Sequence, residues 1–291
     1  MLSLWRRLES LLEMIRTTRT LFALPFVLLS MMLAARDFAT PGWPGWRTSL
    51  LVLAAVLAGR NAARAYNHLA DRRFDAQNPR KRDRALPAGR ISPAAAWVFV
   101  ILNAALFVAL SFLLNPLAGW LSPAALFVIL FYSHSKRFTP GAHFVLGAAL
   151  AIAPMGAYVA VSGGLSGAPW TLAAALMLWV AGFDIIYSVR DTEYDKMAGL
   201  YSFSVVLGDY VALRYAARLH LLMVLVLLGF ALIHGMGWIF YLGLALCAWL
   251  LVREHRIVRG SDLDHVDRAF FRHNSLIGIT LFLSGALDLL L

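Results

Sequence analysis

Trp170-Thr-Leu-Ala-Ala-Ala-Leu-Met-Leu-Trp-Val-Ala-Gly-Phe-Asp184-Ile-Ile-Tyr187-Ser-Val-Arg-Asp191-Thr-Glu-Tyr-Asp195 reads as a membrane span that ends in acid. Residues 170–190 are an apolar run of the length a helix needs to cross a hydrocarbon core. Asp184 falls inside that run, where an acid costs about 2.5–3.5 kcal/mol on insertion scales, so it should have a partner or a task. Asp184, Tyr187, Asp191 and Asp195 step by three, four and four, which predicts one helical face.

A second acidic stretch lies upstream, in Asn67-His-Leu-Ala-Asp71-Arg-Arg-Phe-Asp75. Both stretches contain Asp-x3-Asp, which sets two like charges one turn apart. Such a pair near lipid calls for a cation. Two pairs facing each other would suit Mg²⁺, a hard ion that takes few protein ligands and fills its shell with water and substrate phosphates. Asp71, Asp75, Asp191 and Asp195 are therefore the candidate metal ligands. One such pair by itself reads equally well as incidental acid in a basic loop; the second pair is what favours function.

The composition agrees with a membrane setting. Of 291 residues, 60% are hydrophobic and 14% charged, against roughly 25% charged in a soluble domain. No segment outside the apolar runs is long enough for a second domain, so residues 1–291 are expected to form one membrane domain. The net charge of +10 does not point to nucleic acid, because the bases cluster in loops between apolar runs. Cys247 stands alone in an apolar run, which excludes a disulfide and a thiolate metal site and predicts a small core residue. Residues 1–19 mix Arg6, Arg7, Glu9, Glu13 and Arg16 with Leu and Ile, which predicts a surface amphipathic helix and not a cleavable signal.

Nine runs are candidate spans: 20–36, 48–68, 94–114, 117–133, 142–162, 170–190, 211–233, 235–252 and 270–290. Most junctions carry turn chemistry, such as Pro41-Gly-Trp-Pro44 and Thr139-Pro-Gly141, and Asn115-Pro116 alone separates the third and fourth runs, predicting a tight hairpin. With the N-terminus inside, the inner segments are 1–19, 69–93, 134–141, 191–210 and 253–269. They collect Arg72, Arg73, Arg80, Lys81, Arg82, Arg84, Lys136, Arg137, Arg253 and Arg256, whereas the outer side keeps Arg36 and Arg47. The fold class expected is all-α, a polytopic bundle of nine helices whose site cavity faces the cytoplasm, in a prokaryotic plasma membrane.

Both acidic motifs fall on that basic side. Arg80 and Arg84 are four apart, and Lys136 stands four residues after Tyr132, just past a span. Mg²⁺ with Arg and Lys over a membrane-facing cavity is the apparatus for a diphosphate leaving group. The plainer reading is positive-inside charge, and it is preferred here for Lys81 and Arg82. The eight histidines show no ligand spacing, and most are expected to be interfacial or cap residues.

These residues resemble the UbiA superfamily of intramembrane prenyltransferases. The resemblance rests on Asn67-x3-Asp71-x3-Asp75, Tyr132-x3-Lys136 and Asp191-x3-Asp195, in that order, and covers nearly the whole chain from Ile15-Arg16 to the last span. Asn78-Pro-Arg80, Arg84-Ala-Leu-Pro-Ala-Gly89, Tyr132-Ser-His-Ser-Lys-Arg-Phe138 and Phe183-Asp-Ile-Ile-Tyr-Ser188 look like the 4-hydroxybenzoate polyprenyltransferase branch, and especially like its relatives on the futalosine route to menaquinone. Lys81 stands where Thr is usual, and His134 and Ser135 replace more usual residues.

The resemblance implies a mechanism. Asp71, Asp75, Asp191 and Asp195, helped by Asn67, hold Mg²⁺ on a polyprenyl diphosphate. Arg80, Arg84 and Lys136 neutralise the diphosphate as the C–O bond breaks. An electron-rich ring carbon of an aromatic acid then attacks the allylic cation. Asp184 or Asp191 orients the acceptor hydroxyl, Arg137 pairs with its carboxylate, and Tyr132 and Tyr187 lie among the substrate-binding residues. The alternatives are a sibling transferase with another acceptor (a futalosine-route or naphthoate precursor, a haem, a chlorophyllide or a glycerol phosphate), a cation-coupled transporter, and a non-catalytic binder of polyprenyl lipid. Acids gathered at one rim beside a basic loop argue against the transporter, whose sites lie near the midplane.

Overall fold

A computed structural model describes Glu13 and residues 22–38, 43–260 and 263–291. The predicted surface helix at 1–19 falls outside these residues apart from Glu13, as does part of the Pro41–Pro44 turn. No strand occurs among the described residues. The helices are α1 (Leu24–Phe38), α2 (Trp46–Ala70), α3 (Arg72–Gln77), α4 (Pro93–Leu114), α5 (Pro116–Phe131), α6 (Ala142–Ser162), α7 (Ala168–Ser188), α8 (Thr192–Met197), α9 (Phe203–Leu207), α10 (Asp209–Ile233), α11 (Trp238–Gly260) and α12 (Leu263–Leu290). Two 3-10 segments, Tyr132–Arg137 and Val189–Asp191, follow α5 and α7.

Among the described residues, seven helical segments are long and apolar enough to cross a membrane by length and composition. They match the third to ninth predicted spans. The first two predicted spans coincide with α1 and α2. The described part of α1 has 15 residues, and α2 has 25 but carries Arg47, Arg60 and Arg64. The inner segment 253–269 is not an open loop, because α11 continues to Gly260 and α12 already begins at Leu263.

Local chemistry sets the helix ends. Ser92 caps α4 by accepting the Ala95 N–H at 3.2 Å, with Pro93 in the first turn. Asn115 caps α5 through the Ala118 N–H at 2.8 Å. Its Nδ2 also donates to the carbonyls of Val159 and Ala160 at 2.8 and 3.2 Å, so the expected hairpin is pinned to the end of α6. Gly163 ends α6 with φ 69°, a conformation that favours glycine.

α2 lies along α4, α4 pairs with α5, and α5 touches α6. The chain continues through the α6–α7, α7–α10, α10–α11 and α11–α12 pairs, and α12 returns to α1, which rests on α6. The main core belongs to this second half, around the buried Phe26, Tyr158, Trp179, Phe230 and Phe240. Cys247 is buried there, as expected. By contrast, α4 and α5 leave most of their apolar side chains exposed, including Trp97, Ile101, Leu102, Trp120 and Phe127. That is what a helix facing lipid does. Between the two halves lies a cavity of about 510 Å³, walled by α2, α4, α5, α6 and α7.

Candidate active site

The cavity is amphipathic along its length. Its deeper wall is apolar or small, with Val52, Ala55 and Val56 of α2, Phe107 and Leu114 of α4, Leu121 of α5, and Ala153 and Ala157 of α6. Its other end carries the acids and bases singled out above. Asn67, Asp71, Asp75, Arg84, Tyr132, Lys136, Arg137, Asp184, Tyr187, Asp191 and Asp195 all line this one space. Arg80 does not line it; it stands behind and holds Asp191.

Each motif is broken at its acids. The end of α2 at Ala70 leaves Asp71 in a turn, and α3 then carries Asp75. Likewise α7 stops at Ser188, a 3-10 turn presents Asp191, and α8 carries Asp195. The predicted continuous helical face over 184–195 is thus interrupted, although its four residues still reach the same cavity. The breaks are anchored. Thr192 Oγ1 donates to Val189 O at 2.9 Å and to Asp209 Oδ1 at 2.8 Å. Tyr194 Oη donates to Phe74 O at 2.5 Å, which ties the second motif to the first.

Acids and bases alternate at the rim. Arg80 Nη1 donates to Asp191 Oδ1 at 3.1 Å, and Lys81 Nζ to Asp191 Oδ2 at 2.8 Å. Arg84 Nη1 meets Asp75 Oδ2 at 2.8 Å. Lys136 Nζ lies 3.8 Å from Asp195 Oδ2, a buried atom with no hydrogen-bond partner. Asn67 Nδ2 donates to Asp71 Oδ2 at 3.0 Å, while Arg137 lies 3.5 Å from Asp71 Oδ1 and packs over the Phe74 ring. Burial, and then the charge of Asp75, push the Asp71 carboxyl above the usual range, with Arg137 opposing. Deeper in, Asp184 Oδ2 is 2.6 Å from Nδ1 of His143.

Three groups of residues were read differently from the sequence. Lys81, taken as topological charge, holds Asp191 and lines the cavity. Arg82 is exposed, in line with the reading given it. Arg60 and Arg64 of α2 line the cavity as well. They sit inside a predicted span, where a charge carries the same cost as Asp184 and is the local signal that marks them. Nor are the histidines uniformly interfacial: His68, His143 and His220 are buried. His143 and Asp184 stand 41 residues apart, too far for any local spacing to link them.

Among the described residues, no three His, Cys, Asp or Glu side chains gather around one point. The donor set at the rim is all carboxylate oxygen, and in the geometry described each of the four acids has a base within 4 Å.

A family model described as the UbiA prenyltransferase family matches residues 23–276. The 4-hydroxybenzoate octaprenyltransferase of Pseudomonas aeruginosa is 34% identical over 251 residues, which is 86% of this chain and 84% of that one. Among solved structures, the apo form of a UbiA homologue from Aeropyrum pernix K1 is 33% identical with a TM-score of 0.84, covering 94% of this chain and 98% of that one. A UbiA homologue from Archaeoglobus fulgidus, solved bound to DMAPP and Mg²⁺, has a TM-score of 0.74 at 21% identity over 97% and 99% of the two chains.

Proposed function

Because this chain belongs to the UbiA prenyltransferase family, we propose that it moves a polyprenyl group from a polyprenyl diphosphate onto an aromatic acid of the 4-hydroxybenzoate kind, in quinone biosynthesis, with Mg²⁺. The observation that carries this is the placement of a rim of alternating acids and bases on an elongated apolar cavity. A diphosphate with an isoprenoid tail has the same division into a charged head and an apolar chain.

The residues fit the metal. Mg²⁺ is usually held by one or two carboxylates together with substrate phosphates, so a cluster of three acids is not required. Asp71, Asp75, Asp191 and Asp195 would hold it, and Asp195 Oδ2 is buried without a hydrogen-bond partner. When bound, the metal stabilises charge on the departing diphosphate.

The chain's own groups do the rest. Arg80, Lys81, Arg84 and Lys136 now neutralise carboxylates. Lys81, Arg84 and Lys136, which line the cavity, would meet phosphate oxygens and stabilise the charge that grows as the C–O bond breaks, with Arg80 adding its charge from behind Asp191. The apolar wall holds the tail and keeps water from the allylic cation. Tyr132 and Tyr187 border the space the acceptor would fill, and Asp184 faces it. Arg137 at the rim, or Arg60 and Arg64 deeper in, can meet the acceptor carboxylate.

The topology belongs to the same reading. On this reading the chain is one domain with nine spans and an inner N-terminus, and its cavity opens to the cytoplasm of a bacterial membrane, as the basic segments 69–93 and 134–141 support. The direct test is mass spectrometry of the product formed by the purified protein from 4-hydroxybenzoate and a polyprenyl diphosphate, with and without Mg²⁺. A prenylated acid formed only with Mg²⁺ is expected. Turnover with a naphthoate, haem, chlorophyllide or glycerol phosphate and none with 4-hydroxybenzoate would move the chain to a sibling branch.

A further inference from the structure

His143 stands at the start of α6 and is fully enclosed, with no exposed surface. Its Nδ1 lies 2.6 Å from Asp184 Oδ2. On the other side of the ring, Nε2 accepts the backbone N–H of Phe203 at 3.3 Å. An imidazole nitrogen that accepts carries no proton, so the proton of the neutral ring is on Nδ1 and is donated to Asp184. Donation to a charged carboxylate makes this a charge-assisted bond.

The surroundings lock the ring. Phe203 meets it edge-on at 5.7 Å and packs against Phe144 and Tyr215. Phe203 also opens α9, which Ser202 caps by accepting the Val205 N–H. The preceding turn is tied to the rim, because Tyr201 N–H donates to Lys136 O at 2.7 Å. Asp184, unlike His143, reaches the cavity, with its side chain 21% exposed. One carboxylate is therefore aimed into the cavity by a neutral imidazole that never touches the contents.

We propose that His143 is a positioning residue that holds the Asp184 carboxylate aimed at the aromatic acceptor, so that Asp184 takes the proton released from the alkylated ring carbon. The inference rests on the transfer reaction proposed above. In that reaction the C–O bond of the prenyl diphosphate breaks and its electron pair leaves with the diphosphate. A ring carbon of the acceptor forms the new C–C bond with its π electrons. The C–H pair at that carbon then returns to the ring, and the proton passes to Asp184. His143 does not itself take it, because the Nε2 lone pair is engaged by Phe203 and Nδ1 already bears a proton.

The test uses the full-length protein in detergent, with acceptor carrying deuterium at the reacting ring carbon. In the unaltered protein proton loss should be fast, so that kcat shows no primary isotope effect. His143→Leu should lower kcat by about 10²-fold, expose a primary isotope effect and leave affinity for a non-hydrolysable diphosphate analogue unchanged. His143→Asn places an N–H near Nδ1 and should recover most of kcat and remove the isotope effect. If His143→Leu does not fold, Asp184→Asn decides: it keeps an oxygen acceptor for Nδ1–H but cannot take the proton, so kcat should fall with analogue affinity retained. Unaltered kcat in Asp184→Asn, or a His143→Leu enzyme slowed without an isotope effect, would overturn the assignment. Failure of the unaltered protein to prenylate any aromatic acid would instead overturn the underlying reaction.

Discussion

Lys81 shows what one side chain can hide from a sequence reading. In the run Arg80-Lys-Arg-Asp-Arg84 its charge looks like that of its neighbours. The turn that follows Asn78, whose Oδ1 accepts the Arg80 N–H at 3.0 Å, sends Lys81 to Asp191 and leaves Arg82 in solvent. Lys81→Met should therefore lower kcat/KM on the order of 10²-fold, the scale seen when one electrostatic donor is removed. Arg82→Ala should leave it nearly unchanged. Steady-state kinetics on the two variants checks the contrast, and equal losses would mean that net loop charge, not position, matters. Asp71 adds a pH dependence. Its carboxyl is raised first by burial and then by Asp75, and only the ionised form holds a cation. Mg²⁺-dependent binding of a diphosphate analogue should weaken as pH falls through a value above the ordinary aspartate range. Calorimetry at stepped pH on the unaltered protein and on Asp71→Asn measures this, and the same pH profile in both would remove Asp71 from the metal set.

At the level of elements, the cavity depends on how closely α6 and α7 approach, because His143 and Asp184 sit on facing sides of that pair. Gly147 of α6 makes the approach possible: a Cβ there would meet the Met177 carbonyl oxygen of α7 at 2.5 Å, and backbone cannot swing aside. Gly147→Ala should destabilise the protein by about 1–3 kcal/mol, as overpacking does. Gly229 of α10 has nothing within 4 Å of such a Cβ. Gly229→Ala should be neutral or slightly stabilising, since alanine is the better helix former. Thermal unfolding in one detergent separates the two, and a Gly147→Ala protein as stable as the original would show that the pair can part without cost.

For the whole molecule, orientation and the joint binding of metal and diphosphate are the tests that reach furthest. Reporter fusions at Arg84, Lys136, Lys196 and Arg259 should all report the cytoplasm, and those at Gly42 and Gly164 the opposite side. A split among the first four would undo the nine-span topology. Binding should also be mutually dependent. The rim bases are occupied by the rim acids, so a diphosphate that arrives alone must compete with Asp75 and Asp191 for Arg84, Arg80 and Lys81. Metal relieves that competition, and linkage makes the benefit reciprocal. Titrating a diphosphate analogue with and without Mg²⁺ should give clearly tighter binding with the metal; equal affinities would remove the physical basis of the proposed site.

Periodicity, span length and charge asymmetry in the sequence already determine an all-helical membrane chain whose two acid pairs lie beside its basic segments. These properties follow from the cost of burying polar backbone and charge in lipid, which each segment meets by itself. The spacing Asp-x3-Asp marks Asp71, Asp75, Asp191 and Asp195 as candidates, and the structure gathers all four on one cavity. Only the tertiary structure decided which of the bases hold them. It put Lys81 on Asp191, drew Arg60 and Arg64 into the cavity, broke the 184–195 helix at Ser188, and brought His143 to Asp184 across 41 residues. Such pairings depend on which helix faces lie against each other, and a local pattern of apolar and charged residues leaves many of those arrangements equal until the whole bundle is packed.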